Sequence, residues 1–113
     1  MAELKYLLMS CAVEAPIAFL IVRWTKWPGR GAIHAGLASA VATAVTHPQM
    51  WQAAIWAYPR FGYWPSVAAL ELLVVLVEGA LIAWMAQLQL HRAMIVSLFA
   101  NAGSCLFGLW LNG

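Results

Sequence analysis

The sequence predicts an all-α, integral membrane four-helix bundle, with an aromatic segment lying in the membrane interface between the second and third helices. Three observations predict it. Hydrophobic residues make up 65% of the 113 and charged residues 9%, with a mean hydropathy of +0.81, which lies outside the range of soluble globular chains. Four mostly apolar stretches approach the roughly 20 residues needed to cross hydrocarbon, and short polar or Pro/Gly-rich breaks separate them. Isolated glutamates sit inside those stretches, where only a protein neighbour can satisfy them.

The first helix is expected over residues 6–24. It carries Glu14 near its middle and Pro16 beside it, and packing against other helices makes both tolerable. "TKWPGR", residues 25–30, then makes a tight turn. The second helix is expected over 31–46; it is rich in Ala, with Gly36, Ser39 and Thr43 among them, so it is weakly hydrophobic and suited to the inside of a bundle. Pro48 is expected to stop that helix or to start the next one.

Residues 47–66 combine Trp and Tyr with three prolines, a composition that suits the headgroup zone, and 50–57 form a short interfacial helix in this reading. Trp51, Trp56, Tyr58, Tyr63 and Trp64 are its candidate docking residues for a neighbouring subunit. The third helix, 67–87, is the strongest hydrophobic signal, and the fourth spans 92–111. "LQLHR" between them is a second compact basic turn.

Charge gives an orientation. Arg23, Lys26, Arg30 and Arg92 cluster at the two tight turns, against Lys5 and Arg60 on the other face, so the positive-inside rule puts both turns in the cytoplasm. Both termini and the aromatic segment then face outward. The apolar run before Cys11 in "LLMSC" is too short for a signal-peptide core, so residues 1–113 are read as a single transmembrane domain with its N-terminus retained.

Composition excludes several classes. A net charge of +2 from six scattered basic residues is too sparse for a nucleic-acid footprint. The acidic residues are all Glu, and no Gly-rich phosphate cradle, G-x-S-x-G, H-E-x-x-H or Ser/His/Asp set appears, so no enzyme chemistry is expected. Cys11 and Cys105 lie in apolar stretches without C-x-x-C pairing and read as packing residues.

A repeat is visible in this arrangement. Glu14 aligns with Glu78 (78 − 14 = 64) and Arg30 with Arg92 (92 − 30 = 62), and Ser39 then matches Asn101. Each half reads as an acidic helix, a basic turn, and a helix bearing small and polar residues, related by a pseudo-twofold axis along the membrane normal.

A carboxylate at the middle of a membrane helix costs about 2.5–3.5 kcal/mol on insertion scales, so Glu14 and Glu78 need partners. Glu71 and Glu78 are two turns apart on one face of the third helix. On the fourth, Ser97, Asn101, Ser104 and Gly108 recur at helical spacing, and Ala100, Ser104 and Gly108 are expected to allow close approach to the third helix. Counting depth from the shared turn pairs Asn101 with Glu78, Ser39 or Thr43 with Glu14, and His47 with Glu71 at the rim. His34 and His91 flank the basic turns and read as solvated. The two glutamates of the third helix lie about 10 Å apart along its axis, so no shared metal ion is expected.

The patterns "THPQMW", "ELLVVLVE" and "SLFANAGS" resemble those of a group of small uncharacterised bacterial membrane proteins with T-H-P-x-x-W, two glutamates in the third helix and S-L-x-A-N-x-x-S in the fourth. The resemblance covers most of the chain from Glu14 onward and implies a bacterial inner-membrane location. It marks Glu14, Thr46, His47, Trp51, Glu71, Glu78, Ser97, Asn101 and Ser104 as the shared positions. An Asn belongs near Ala44 in that pattern, and here only Ala and Thr are found.

The leading expectation is an accessory or assembly subunit of a larger membrane complex, partnered by lipid and other membrane subunits, with buried Glu, His and Asn fixing helix packing. The alternative is a small proton- or cation-coupled transporter using Glu78, working as a homo-oligomer. A further alternative is a pigment- or haem-binding subunit ligating through His47, since neutral imidazole is a common metal ligand. The sequence itself names no cofactor.

Overall fold

The computed structural model describes residues 2–112, with side chains described over 4–110. The chain forms four helices, α1 (Ala2–Thr25), α2 (Ala32–Phe61), α3 (Tyr63–Ala86) and α4 (Leu90–Asn112). α1 and α3 each pack against both α2 and α4, closing a ring of four around one axis, and the molecule measures 43 × 23 × 20 Å. Segments of α1, α3 and α4 are long and apolar enough to cross a membrane: Leu4–Thr25, Tyr63–Ala86 and Leu90–Trp110. α2 does not reach that hydropathy, yet it is not enclosed as its composition suggested: it is one wall of the ring, with Ile33, Leu37, Val41 and Val45 exposed on its outer face.

α2 departs from the sequence-based expectation. The predicted helix over 31–46 and interfacial segment over 47–66 are one continuous 30-residue helix that passes through Pro48 and Pro59, so Pro48 is not a stop and 50–57 is not a separate helix. Each proline removes one backbone hydrogen bond and crowds the carbonyl four residues earlier, but tertiary packing carries the helix through: Thr43 and Thr46 before Pro48, and Ala57 after it, are buried. α2 joins the same two ends of the bundle as α3 yet has 30 residues against 24, so the two cannot both run straight and parallel.

α3 consequently begins at Tyr63, four residues before the expected 67. Gly62 alone separates it from α2; its φ of +87° is a left-handed conformation that side chains disfavour, and its N–H donates to Tyr58 O at 3.0 Å. At the other end the two basic turns are tied together. Arg30 N–H donates to Ala86 O at 2.8 Å, Gly29 packs so closely that a Cβ there would sit 2.8 Å from the same oxygen, and the Arg92 guanidinium lies 5.5 Å from the Trp27 ring centre.

The apolar core fills only the half of the bundle near these turns. Ala18 and Val22 of α1, Ala35, Ala38 and Ala42 of α2, Ile82 and Ala86 of α3, and Ala93 and Val96 of α4 form it, with Leu88 from the turn. Small residues dominate on α2, which lets its backbone approach closely; a Cβ on Gly36 would lie 3.2 Å from Ala15 O. On α4 the close approach is to α1 at Gly103, whose Cβ would collide with Ile17. Gly108, expected to serve that purpose, does not: a Cβ there meets nothing within 4 Å.

A carboxyl-floored cavity

Above the apolar core the bundle axis turns polar. Glu14 and Glu78, on diagonally opposed helices, are each only 2% exposed. Thr43 Oγ1 donates to Glu14 Oε1 at 3.1 Å, and Ser104 and the Glu78 carboxyl lie beside the Glu14 carboxyl. Glu78 accepts from Thr46 Oγ1 at 2.6 Å and from Asn101 Nδ2 at 3.1 Å. Asn101 Nδ2 is further held by Ser97, through its carbonyl at 2.8 Å and its hydroxyl at 3.3 Å, while Ser97 Oγ donates to Val75 O at 2.9 Å. Thr46 also has Ala42 O within 3.0 Å, and Ser104 donates to Asn101 O at 3.2 Å.

The hydrogen bond expected between Asn101 and Glu78 is therefore present. Of the two partners offered for Glu14, Thr43 bonds it; Ser39, buried on the same face, has no hydrogen-bond partner for its Oγ among the described residues. Sequence reasoning missed the bond of Thr46 to Glu78, the approach of Ser104 to Glu14, and the meeting of the two carboxyls across the bundle axis. A repeat is legible in them. Thr43 and Asn101 serve the glutamate of the preceding helix, Thr46 and Ser104 face the glutamate of the other neighbouring helix in the ring, and both pairs are 58 residues apart (101 − 43 and 104 − 46). The start points of α2 and α4 differ by the same amount (90 − 32). The Arg30–Arg92 alignment gave 62 because the two arginines are not equivalent, Arg30 preceding α2 and Arg92 lying within α4, so Thr43 and not Ser39 is the counterpart of Asn101.

This network is the floor of a cavity of about 200 Å³ that opens toward the end of the bundle where α2 meets α3. All four helices contribute to it: Ser10 and Glu14 from α1; Thr43, Thr46, His47, Met50, Trp51, Ala54 and Tyr58 from α2; Glu71, Val74 and Glu78 from α3; and Asn101 and Ser104 from α4. His47 and Glu71, expected to meet at the rim, both line it and are both half-buried. Three carboxyl groups, one imidazole and the Tyr58 phenol are its ionisable groups, and among the described lining residues there is no Lys or Arg. No group of three or more His, Cys or Glu that could hold a metal ion occurs among the described residues.

Comparison with protein-family models, with curated proteins and with solved structures returns no match for this chain.

The aromatic residues expected to form a flat docking segment divide into two sets. Trp51 is half-buried, with ring centres 6.0 Å from His47 and 5.9 Å from Tyr6, and it belongs to the cavity wall, as does Tyr58. Trp56, Tyr63 and Trp64 are exposed around the Gly62 junction: Tyr63 stacks between Tyr58 at 5.4 Å and Trp64 at 5.0 Å, and Arg60 caps the Trp56 ring at 4.7 Å. His34 and His91 are exposed at the turn end, far in sequence register from the cavity floor. Cys11 and Cys105 are free thiols, each half-buried.

Proposed function

We propose that the chain is an integral membrane protein that takes a small cation into the cavity in exchange for a proton held between Glu14 and Glu78, as the binding step of a carrier. The single observation that carries this reading is the meeting of two buried carboxyls from diagonal helices at the floor of an open polar cavity. Helix glue would be served by Asn or Ser and would leave no space, whereas contact between two carboxyls away from water demands a proton between them, because like charges in contact cannot both persist there. A cation entering the cavity supplies the same neutralisation, and the proton leaves to solvent.

Orientation follows from charge. The basic turns lie on the cytoplasmic side of the inner membrane, so the cavity opens outward and the small-residue core below it seals the inner half. The correspondence between Thr43/Thr46 and Asn101/Ser104 supports an ancestral helix hairpin used twice, with the site on its pseudo-twofold axis, as in carriers built from internal repeats. A one-ended cavity needs a second conformation or a second copy for release inward, so a homo-oligomer belongs to this reading.

The test is proton release. Purified protein in weakly buffered detergent solution, titrated with an organic cation such as butyltrimethylammonium, releases about one proton per cation bound, and Glu78→Gln releases none. Equal release from wild type and variant defeats the proposal.

A second reading, an accessory subunit of a larger complex, is favoured by the exposed aromatic group at the α2–α3 junction, where Trp64 is 68% exposed. Extraction from the native membrane in mild detergent decides it: a defined co-purifying protein that is lost in a Trp56→Ala/Trp64→Ala variant supports it, and a monodisperse homo-oligomer counts against it. The third expectation, haem or chlorin bound through His47, is poorly served by a cavity of about 200 Å³, below the roughly 300–1,000 Å³ of pockets that enclose drug-sized ligands.

A further inference from the structure

The carboxyl-floored cavity has a neighbour. Between α3 and α4 lies a second cavity of about 230 Å³, walled by Leu72, Leu98, Ala102 and Cys105, with Glu71 and Asn101 at its inner edge. Those last two residues also line the central cavity, so the two spaces share a wall. Leu72 and Leu98 are more than half exposed and Ala102 is exposed, which puts the mouth of this fissure on the outer surface of the bundle, where a membrane protein meets acyl chains. Each space has a different chemistry. The inner one offers carboxyl groups and the aromatic faces of Trp51 and Tyr58, a combination suited to an ammonium group by charge and by cation–π attraction. The outer one is walled mostly by hydrocarbon, with its polar groups confined to the inner edge and the Cys105 thiol.

We infer that the ligand of the proposed exchange site is a single-chain cationic amphiphile, an alkylammonium whose head sits above Glu14 and Glu78 and whose tail leaves the bundle between α3 and α4 past Leu72, Leu98 and Cys105. The inference rests on the cation-exchange reading above and adds the substrate class and a lateral entry. Charge complementarity at the inner end selects the sign of the head. Continuity of the fissure with the lipid-facing surface selects the tail, and the absence of a metal-holding group among the described residues fits an organic head. Displacement by the head of the proton shared by the two carboxyls balances the charge without another co-reactant.

Cys105 is a reporter inside the fissure, and Cys11, half-buried on α1 with its Sγ 3.7 Å from Ala40 O, is an internal control away from it. The protein in phosphatidylcholine nanodiscs is alkylated with N-ethylmaleimide in the presence of dodecyltrimethylammonium or butyltrimethylammonium. At about ten times its Kd the dodecyl probe leaves about a tenth of sites open and slows alkylation of Cys105 about tenfold, with Cys11 unchanged; the butyl probe protects neither. Ala102→Phe, a substitution at an exposed position, fills the fissure and abolishes proton release by the dodecyl probe while leaving release by the butyl probe intact. Equal protection of Cys105 by both probes, or by neither, overturns the inference, as does dodecyl-driven release that survives Ala102→Phe. Proton release by the butyl probe from wild type distinguishes the two levels: if it occurs, cation exchange stands even where the fissure fails, and if neither probe releases a proton, the exchange itself fails.

Discussion

Replacing Glu78 by Gln removes one of the two carboxyls on which the proposed exchange depends while keeping nearly the same shape, which makes it the substitution that separates binding chemistry from helix packing. The carbonyl oxygen of a glutamine can still accept from Asn101, now at 3.1 Å. Its amide takes the place of the oxygen that lies 2.6 Å from Thr46, whose hydroxyl can accept that donor and turn its own proton to Ala42 O, 3.0 Å away. The network therefore survives with one bond reversed. At an average of about 0.6 kcal/mol per interhelical hydrogen bond, Glu78→Gln is expected to cost less than about 1 kcal/mol. Glu78→Leu loses the contacts to Thr46, Asn101 and Glu14 together, so it is expected to cost about 2 kcal/mol by the same measure. Reversible unfolding in mixed dodecylmaltoside and dodecylsulfate micelles reads both, alongside cation-driven proton release from the same samples. A Gln variant as unstable as the Leu variant would show that the carboxyl is there for packing. A Gln variant that still releases a proton would place the exchange elsewhere.

Further consequences follow from particular contacts. Gly29→Ala puts a Cβ 2.8 Å from Ala86 O, a backbone oxygen already fixed by Arg30 N–H, and is expected to destabilise by about 1–3 kcal/mol, whereas Gly108→Ala, with open space around its Cβ, is expected to be neutral or stabilising by up to about 1 kcal/mol; thermal unfolding in detergent compares them. In a Cys11→Ser/Cys105→Ser background, Gln89→Cys is expected to react with a membrane-impermeant maleimide only after the cells are permeabilised and Trp64→Cys to react in intact cells; the reverse pattern inverts the proposed orientation. Thr43→Asn combined with Asn101→Thr exchanges the equivalent partners of Glu14 and Glu78 and is expected to lose less stability than the two single changes added together. Strict additivity in that cycle would mean that the two positions are not coupled through the carboxyl pair.

The sequence carried the helices and most of the site residues because both depend on local periodicity. Apolar runs of membrane length mark α1, α3 and α4. The spacing of Ser97, Asn101 and Ser104 marks one face of α4, and depth measured from a shared turn was enough to pair Asn101 with Glu78. α2 was misread at Pro48 because a proline inside a helix is decided by tertiary packing, here the burial of Thr43, Thr46 and Ala57 against α1 and α3, which no local rule contains. Trp51 was misassigned for a related reason. With the helix taken to end at Thr46, the aromatic residue was free to lie in the interface; once α2 continues, Trp51 falls one turn beyond His47 on the cavity face.

The missing Asn near Ala44 is answered by the same geometry. On α4 the residue that serves the preceding helix's glutamate is Asn101, and its counterpart on α2 is Thr43, a hydroxyl donor where the resemblance called for an amide. The two halves are thus equivalent in position but unequal in strength: Glu78 accepts from a Thr and from an amide locked in place by Ser97, while Glu14 is bonded by hydroxyls alone on its helix neighbours. The asymmetry between Asn101 and Thr43 gives the pair a direction, with Glu78 the more firmly held of the two carboxyls. Glu78 shares α3 with Glu71, which stands at the wall between the cavity and the α3–α4 fissure, the side from which the proposed cation would first meet the pair.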